Sequence, residues 1–392
     1  MEQEIEMTFL SKKRITVYAR IFISAYLLIW GSWIFTGSGL LDRTGKPIGA
    51  DFLVFWSASS MARTGDPASV YDFQKFYKVE QNIANYPNPW PYPPTYLLMV
   101  LPLSLLPYLP SFIVWILSTF CIYLMVIRRI APHPTTTWLA LAYPGTFQNI
   151  VHGQNGFLST ALLGGGLLLL ENFPLMAGIL FGLLSYKPHF AILVPIALAA
   201  GKYWKALAAM FISSICFILL SGIVLGWGTW IAFYNNISSP IMILIQEKSL
   251  WIKMPTTFAS FLLAGYNLSL AGALHGFVMF GTAIIVAWVW YREAPFYIRG
   301  SALISGILLF TPYAYYYDLS LLALPLAWLG WKNFTVGWKL TGNSLLIIIW
   351  LLPIIAPAIA IALGIQISPI LIAFLLFFTL RQSHKNKSLI PS

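Results

Sequence analysis

The carboxylate of Asp51 is the group in this sequence best placed to do chemistry. It opens an apolar and aromatic segment, residues 52–56. An ionisable group beside a membrane and among apolar rings is costly, and such groups are often functional. The alternative is that Asp51 is only the N-cap of a helix, where its side chain would accept hydrogen bonds from free N–H groups.

Two further polar segments lie at the ends of apolar runs. The first holds His152, Gln154 and Asn155, whose amides can hydrogen-bond the hydroxyls of a sugar. Its alternative is a polar turn that caps two short helices. In the second, Lys187 precedes Pro188 between two apolar runs, where its point charge suits a phosphate. The alternative is a lysine that extends its ammonium to lipid headgroups.

A third polar segment, residues 312–318, contains four tyrosines and ends in Tyr317 and Asp318. Its rings and carboxylate would suit the floor of a sugar or lipid pocket. The alternative is an interfacial aromatic belt in which Asp318 caps a helix. Each signal is weak alone, and their predicted convergence with Asp51 on one side of a membrane is the stronger argument.

The elements that position these residues are apolar. Of the 392 residues 59% are hydrophobic and 9% are charged, against roughly a quarter charged in soluble domains. This excludes a soluble globular protein and a disordered one. About 20 apolar residues cross a bilayer as a helix. We therefore predict an all-α polytopic membrane protein, one domain over residues 1–392, with about twelve spans near 15–35, 109–127, 136–150, 156–170, 174–186, 189–201, 205–226, 269–290, 298–311, 318–331, 341–357 and 360–380.

Residues 37–107 form a long polar interruption after the first span. We predict an extracytoplasmic loop with interfacial helices at 51–62 and 71–83. Asp66 and Asp72 are typical of a turn and a helix cap. The prolines of residues 86–94 exclude helix there and predict a stiff extended segment.

The basic residues predict the orientation. With the N-terminus in the cytoplasm, 15 of the 23 lysines and arginines fall on the cytoplasmic side, together with tails 1–14 and 381–392. This places both termini on the cytoplasmic side of a cell inner membrane and the polar segments on its extracytoplasmic side. The net charge of +11 then reflects topology and anionic lipid, and we expect no nucleic-acid partner.

Motifs of nucleotide-dependent and soluble enzymes are missing from the sequence. It contains no P-loop, no dinucleotide-binding glycine pattern, no HExxH, no GxSxG and no Asp-x-Asp pair. Cys121 and Cys216 lie inside apolar runs and predict neither a disulfide nor a zinc site. We expect no metal and no cofactor.

Taken in order, these segments resemble glycosyltransferase family 87, polyprenol-phosphate-mannose-dependent, mannosyltransferase-like membrane proteins of the GT-C fold. The likeness extends over about residues 50–325. It is carried by Asp51 with Trp56, Ala58 and Ala62; by Gly65, Asp66, Pro67, Tyr71 and Asp72; by Tyr92, Pro93 and Pro94; by Gly153, Gln154 and Asn155; by Ala177, Gly178 and Gly182; and by Lys187, Pro188, Pro312, Tyr317 and Asp318.

The resemblance implies that Asp51 is the catalytic carboxylate of an inverting transferase with a lipid-linked donor. A single hexose, in the first place mannose, would pass from a polyprenyl phosphate to a cell-envelope glycan or glycolipid. Lys187 and Arg63 are the candidate cations for the donor phosphate. Some members carry a histidine in the segment that here spans 313–317, which has none, and His152 or His189 would have to replace it.

Other functions remain open at the level of the sequence. A transporter or flippase of lipid-linked sugars would place polar groups near the bilayer midplane, whereas the predicted spans are nearly free of charge there. A lipid-linked glycan ligase or polymerase would use the same kind of site with a preassembled oligosaccharide. A structural membrane subunit would not need the ordered motifs.

Overall fold

The computed structural model describes residues 12–237, 247–336 and 340–387. Within these ranges the chain is helical and contains no strand, only isolated bridges between Ser38, Leu41 and Pro47. The α-helices are α1 Lys12–Phe35, α2 Phe52–Thr64, α3 Phe73–Glu80, α4 Pro94–Val100, α5 Tyr108–Ile130, α6 Pro134–Ala142, α7 Pro144–His152, α8 Gly156–Leu169, α9 Pro174–Leu183, α10 Pro188–Ala191, α11 Leu193–Ala200, α12 Trp204–Leu225, α13 Trp227–Asn236, α14 Lys248–Lys253, α15 Thr257–Leu263, α16 Leu268–Tyr291, α17 Phe296–Phe310, α18 Ala323–Val336, α19 Leu340–Leu363 and α20 Ser368–Lys387. Short 3₁₀ helices lie at Pro67–Tyr71, Leu101–Leu105, Leu184–Tyr186 and Tyr316–Leu322.

In the described ranges, five helices are long and apolar enough to cross a membrane: α1, α5, α12, α16 and α19. Their outer faces carry large apolar side chains that none of the described residues covers. On α1, for example, Leu27, Leu28 and Phe35 are all exposed. Apolar surface of this kind needs lipid around it, which agrees with a membrane protein.

Prolines divide the remaining apolar runs into shorter helices. α6, α7, α9 and α10 each have a proline as their first residue, where its missing N–H costs no hydrogen bond. The predicted span 136–150 is therefore two helices that meet at Tyr143. The extended backbone of Tyr143 follows from its position before Pro144.

The predicted boundary between the last two spans is wrong. We expected a break between residues 357 and 360, but α19 continues to Leu363 with Pro353 and Pro357 inside it. The helix ends at Gly364, whose φ of +67° suits glycine. Prolines are tolerated within apolar helices of membrane proteins because neighbouring groups satisfy the freed carbonyls.

The interruption after α1 contains α2, which extends two residues beyond the predicted stretch 51–62, and α3, which lies within the predicted stretch 71–83. The carboxylate of Asp66 accepts a hydrogen bond from the Ala68 N–H, and Asp72 caps α3 by accepting from two backbone N–H groups. Both turn-and-cap predictions are confirmed. The proline-rich segment runs without helix until α4 begins at Pro94.

An aromatic core fastens this interruption to the helical bundle. Phe55 of α2 is buried, and its ring meets those of Tyr92, Tyr96 and Trp115 edge-on. Tyr96 in turn stacks on Tyr186, with ring centroids 4.9 Å apart. These contacts fix α2 and the proline-rich segment over one end of the bundle, and so position the residue that precedes α2, Asp51.

Glu80, the last residue of α3, is fully buried in the same region. One carboxyl oxygen accepts the Asn88 N–H at 3.1 Å, whereas the other has no hydrogen-bond partner among the described residues. Burial raises the pKa of Glu80 to about 8, and the Asn88 hydrogen bond only partly opposes this. At neutral pH the group is therefore mostly uncharged, and the sequence alone gave no sign of this.

Candidate active site

The polar segments predicted from the sequence contact one another in the structure. Asp51 comes from the connection between α1 and α2, and Gln154 from the turn between α7 and α8. Lys187 lies between the 3₁₀ helix Leu184–Tyr186 and α10, while Asp318 belongs to the 3₁₀ helix Tyr316–Leu322. Two pairs form across these segments: Asp51 with Gln154, and Lys187 with Asp318.

The side chain of Asp51 does not cap α2. Its backbone is already helical, with φ −75° and ψ −15°, and its carboxylate accepts no hydrogen bond from the first turn. Instead Oδ2 accepts from the Gln154 amide at 3.0 Å, with His152 Nδ1 at 3.8 Å from the same oxygen. The side chain remains 21% exposed. The capping interpretation of Asp51 is therefore not realised, and the carboxylate is held across the chain instead.

The turn that carries Gln154 is fixed from both sides. Gly153 has a φ of +66°, and a Cβ there would lie 2.5 Å from the Cβ of Phe52. Glycine thus lets the turn pack directly against the start of α2. The Trp115 indole N–H donates to the Gly153 carbonyl at 3.1 Å and anchors the turn to α5.

Lys187 and Asp318 form a buried ion pair. Lys187 Nζ lies 2.6 Å from Asp318 Oδ1, and the two side chains are 3% and 2% exposed. The second carboxylate oxygen of Asp318 accepts the Tyr315 N–H at 3.0 Å, so the predicted cap is also present. The Lys187 ammonium lies over the Tyr317 ring, 5.4 Å from its centroid. Lys187 is therefore buried and paired rather than directed toward lipid headgroups.

Asn149 is a residue of the site that was not predicted from the sequence. It is buried on α7, where its amide donates to the Tyr317 carbonyl at 2.8 Å and its oxygen accepts the Gly156 N–H at 2.9 Å. It thereby joins the turn of Gln154 to the segment of Asp318. The sequence shows an amide side chain five residues before Gln154. Nothing in the residues near Asn149 indicates that it contacts Tyr317, which is 168 residues away.

Tyr92 of the proline-rich segment is buried close enough to both acids for their charges to act on it. Its carbonyl accepts the Tyr71 hydroxyl at 2.8 Å, and its ring packs on Tyr96 with a centroid separation of 4.5 Å. Burial raises the pKa of Tyr92, as do Tyr96 and the carboxylates of Asp318 and Asp51. The segment therefore brings a phenol within electrostatic range of both acids.

Comparison with known proteins identifies the family of the chain. The chain matches the family model described as glycosyltransferase family 87 over residues 90–312, more than half of its length. The chain belongs to glycosyltransferase family 87. A search of curated proteins and a search of solved structures each gave no match. The predicted membership is confirmed, and with it a membrane glycosyltransferase.

The matched region of this family 87 glycosyltransferase includes Gln154, Asn155 and Lys187, but neither Asp51 nor Asp318. The match alone therefore assigns no role to either carboxylate. Their inclusion in the site rests on the contacts with Gln154 and Lys187. Asn155, which follows Gln154, is buried, while 40% of the His152 side chain is exposed.

The structure does not bring Arg63 to the site of the family 87 glycosyltransferase. Arg63 lies near the far end of α2, and at 1.5 Å per residue the helix separates it from Asp51 by about 18 Å. Its guanidinium donates to the hydroxyl and the carbonyl of Ser104. This placement leaves Lys187 as the sequence-predicted cation nearest the two acids.

Metal ligands are a separate question for this transferase. Among the residues that the structure describes, no group of three or more His, Cys, Asp or Glu side chains could hold a metal ion. The site offers carboxylates, amides, an ammonium and phenols. The expectation that the reaction needs no metal or cofactor stays a prediction.

Proposed function

We propose that the chain transfers a single hexose, mannose in the first place, from a polyprenyl-phosphate sugar to a cell-envelope glycan or glycolipid with inversion. Asp51 is the general base. The observation that carries this proposal is the placement of Asp51: one carboxylate oxygen is held by Gln154, and the side chain is partly open at the end of an apolar bundle. We expect a carboxylate in this position to be reached by substrates that reside in the bilayer.

The reaction in this proposal balances without a cofactor. The acceptor hydroxyl oxygen attacks the anomeric carbon from the face opposite the phosphate, and its proton passes to Asp51. The bond between that carbon and the phosphate oxygen breaks, and the polyprenyl phosphate leaves with the bonding electrons. A nearby cation offsets the charge that grows on the phosphate.

Binding of the substrates is assigned to the groups around Asp51. Among the residues that the structure describes, the Lys187 ammonium donates one hydrogen bond, to Asp318, so two of its three N–H groups remain for a phosphate oxygen. Tyr317 and Asp318 lie beside it, while His152 and Asn155 flank the Gln154 turn. We assign the phosphate to Lys187 and the sugar hydroxyls to Tyr317, Asp318, His152 and Asn155.

The donor class is tested with membranes that contain the protein and with matched membranes that lack it. Both are supplied with radiolabelled polyprenyl-phosphate hexoses or, separately, with nucleotide-linked hexoses, and the lipid and polysaccharide products are analysed. We expect protein-dependent transfer of one labelled hexose from the lipid-linked donor only. Direct use of the nucleotide donor, or transfer of a preassembled oligosaccharide, would contradict the proposal; the latter would indicate a ligase or polymerase.

For the arrangement in the membrane we propose twelve crossings, both termini in the cytoplasm and the site on the outer side of the inner membrane. The basic residues favour this orientation. The test replaces the exposed Cys121 and Cys216 by serine and introduces single cysteines beside Gln154, Asp318 and Lys202. An impermeant thiol reagent added outside should label the first two positions and not the third. Labelling of the first two from opposite sides would disprove the arrangement.

A further inference from the structure

The amide of Gln154 has one defined orientation. Its Oε1 accepts the Asn155 backbone N–H at 3.3 Å, so its NH₂ group points to Asp51 and donates to Oδ2 at 3.0 Å. The reversed amide would set an oxygen against the carboxylate and lose both hydrogen bonds.

The two contacts of the Asp51 carboxylate fall on one oxygen. Both Gln154 Nε2 and His152 Nδ1 approach Oδ2. Within residues 12–237, 247–336 and 340–387, no group hydrogen-bonds Oδ1. The carboxylate is therefore anchored through one oxygen and leaves the other available to accept a proton.

We infer that Gln154 is a positioning residue, which holds Asp51 through Oδ2 so that Oδ1 faces the hydroxyl of the acceptor. The inference rests on the proposed role of Asp51 as general base. It changes the role predicted for Gln154 from the sequence, which was binding of the sugar. Hydrogen bonds that orient a reacting group matter because small displacements of that group strongly lower the rate.

The surroundings make this anchor rigid. The Trp115 indole holds the Gly153 carbonyl, and Gly153 packs against Phe52 at the start of α2. The turn and the helix that Asp51 precedes are thus in direct contact. A movement of Gln154 relative to Asp51 would have to displace one of these packed groups, so the hydrogen bond is set by the fold rather than by substrate.

The test compares Gln154→Leu and the closer-shaped Gln154→Met with wild type and with the control Gln148→Leu, the same substitution on α7. If Gln154 positions Asp51, both variants lower kcat roughly 10- to 100-fold, while KM for the donor and acceptor stays within about twofold. A residue that binds sugar instead would raise KM and retain kcat, and this result would overturn the inference. Apparent melting temperatures measured in parallel identify a variant that fails to fold.

A double-variant cycle with Asp51→Asn gives a second readout, which a purely structural role would not produce. If Gln154 acts only through the Asp51 carboxylate, Gln154→Leu should cost little further activity once Asp51→Asn is present. If the double variant instead loses activity by the product of the two single-variant losses, the inference is contradicted even if Asp51 is the base. If wild type itself fails to use the lipid-linked donor, the proposed function fails instead, so the two failures are distinguishable.

Discussion

Replacing Lys187 by Met should destabilise the protein by about 3–5 kcal/mol, because it leaves the Asp318 carboxylate buried without its counter-charge. The pair is almost fully shielded and joins two segments 131 residues apart. Since unfolding of membrane proteins is often irreversible, the comparison is of apparent melting temperatures in one detergent at one heating rate. We expect a clear fall for Lys187→Met.

Two further variants make this result interpretable. Lys187→Met/Asp318→Asn removes both charges while the new amide can still accept the Tyr315 N–H, so much of the stability should return. Lys75→Met breaks an exposed pair with Asp72, 3.8 Å apart, of a kind worth about 0–1 kcal/mol, and should have little effect. A double variant as unstable as the single one would show that charge pairing is not the cause.

The double variant also tests the assignment of the donor phosphate. With the fold restored, loss of the Lys187 ammonium should raise the KM for the donor, since a phosphate oxygen loses a charged partner. An unchanged KM for the donor would remove the phosphate from Lys187. Without the double variant, loss of activity in Lys187→Met could reflect unfolding alone.

Features governed by local sequence were predictable. The apolar runs indicated the helices, and the caps at Asp66 and Asp72 follow from residue types that favour turns and helix starts. The predicted span 174–186 starts where α9 does, at Pro174, but the break at Pro144 was not predicted, and Pro353 and Pro357 do not end α19. A proline that neighbouring helices can accommodate has the same local signature as one that ends a helix.

The pairing inside the site was not predictable, because it depends on contacts distant in sequence. Asp51 and Gln154 are 103 residues apart. Nothing in the residues near Asp51 indicates that its carboxylate does not cap α2. Equally, Lys187 gave no sign of being paired with Asp318. Arg63 was predicted as a second phosphate ligand from its residue type alone. Its residue type takes no account of the length of α2, which separates Arg63 from Asp51.

The second large effect is expected at Asp51. Asn has nearly the same size, and its oxygen can still accept from the Gln154 amide, so Asp51→Asn should leave the fold intact. What it removes is the ability to take up a proton. General-base catalysis contributes about 10²–10⁴ in rate, so the variant should lose at least about a hundredfold in transfer. No loss of stability is expected, because Asp51 makes no cap hydrogen bond.

The rate of hexose transfer by Asp51→Asn, from a labelled polyprenyl-phosphate hexose at saturating donor, is the most direct test of the central claim. Asp72→Asn, a change at an exposed helix cap, serves as the matched control. The proposed mechanism predicts normal expression and melting for both variants, near-normal transfer by Asp72→Asn and a loss of at least about a hundredfold for Asp51→Asn. Near-normal transfer by a well-folded Asp51→Asn protein would contradict it.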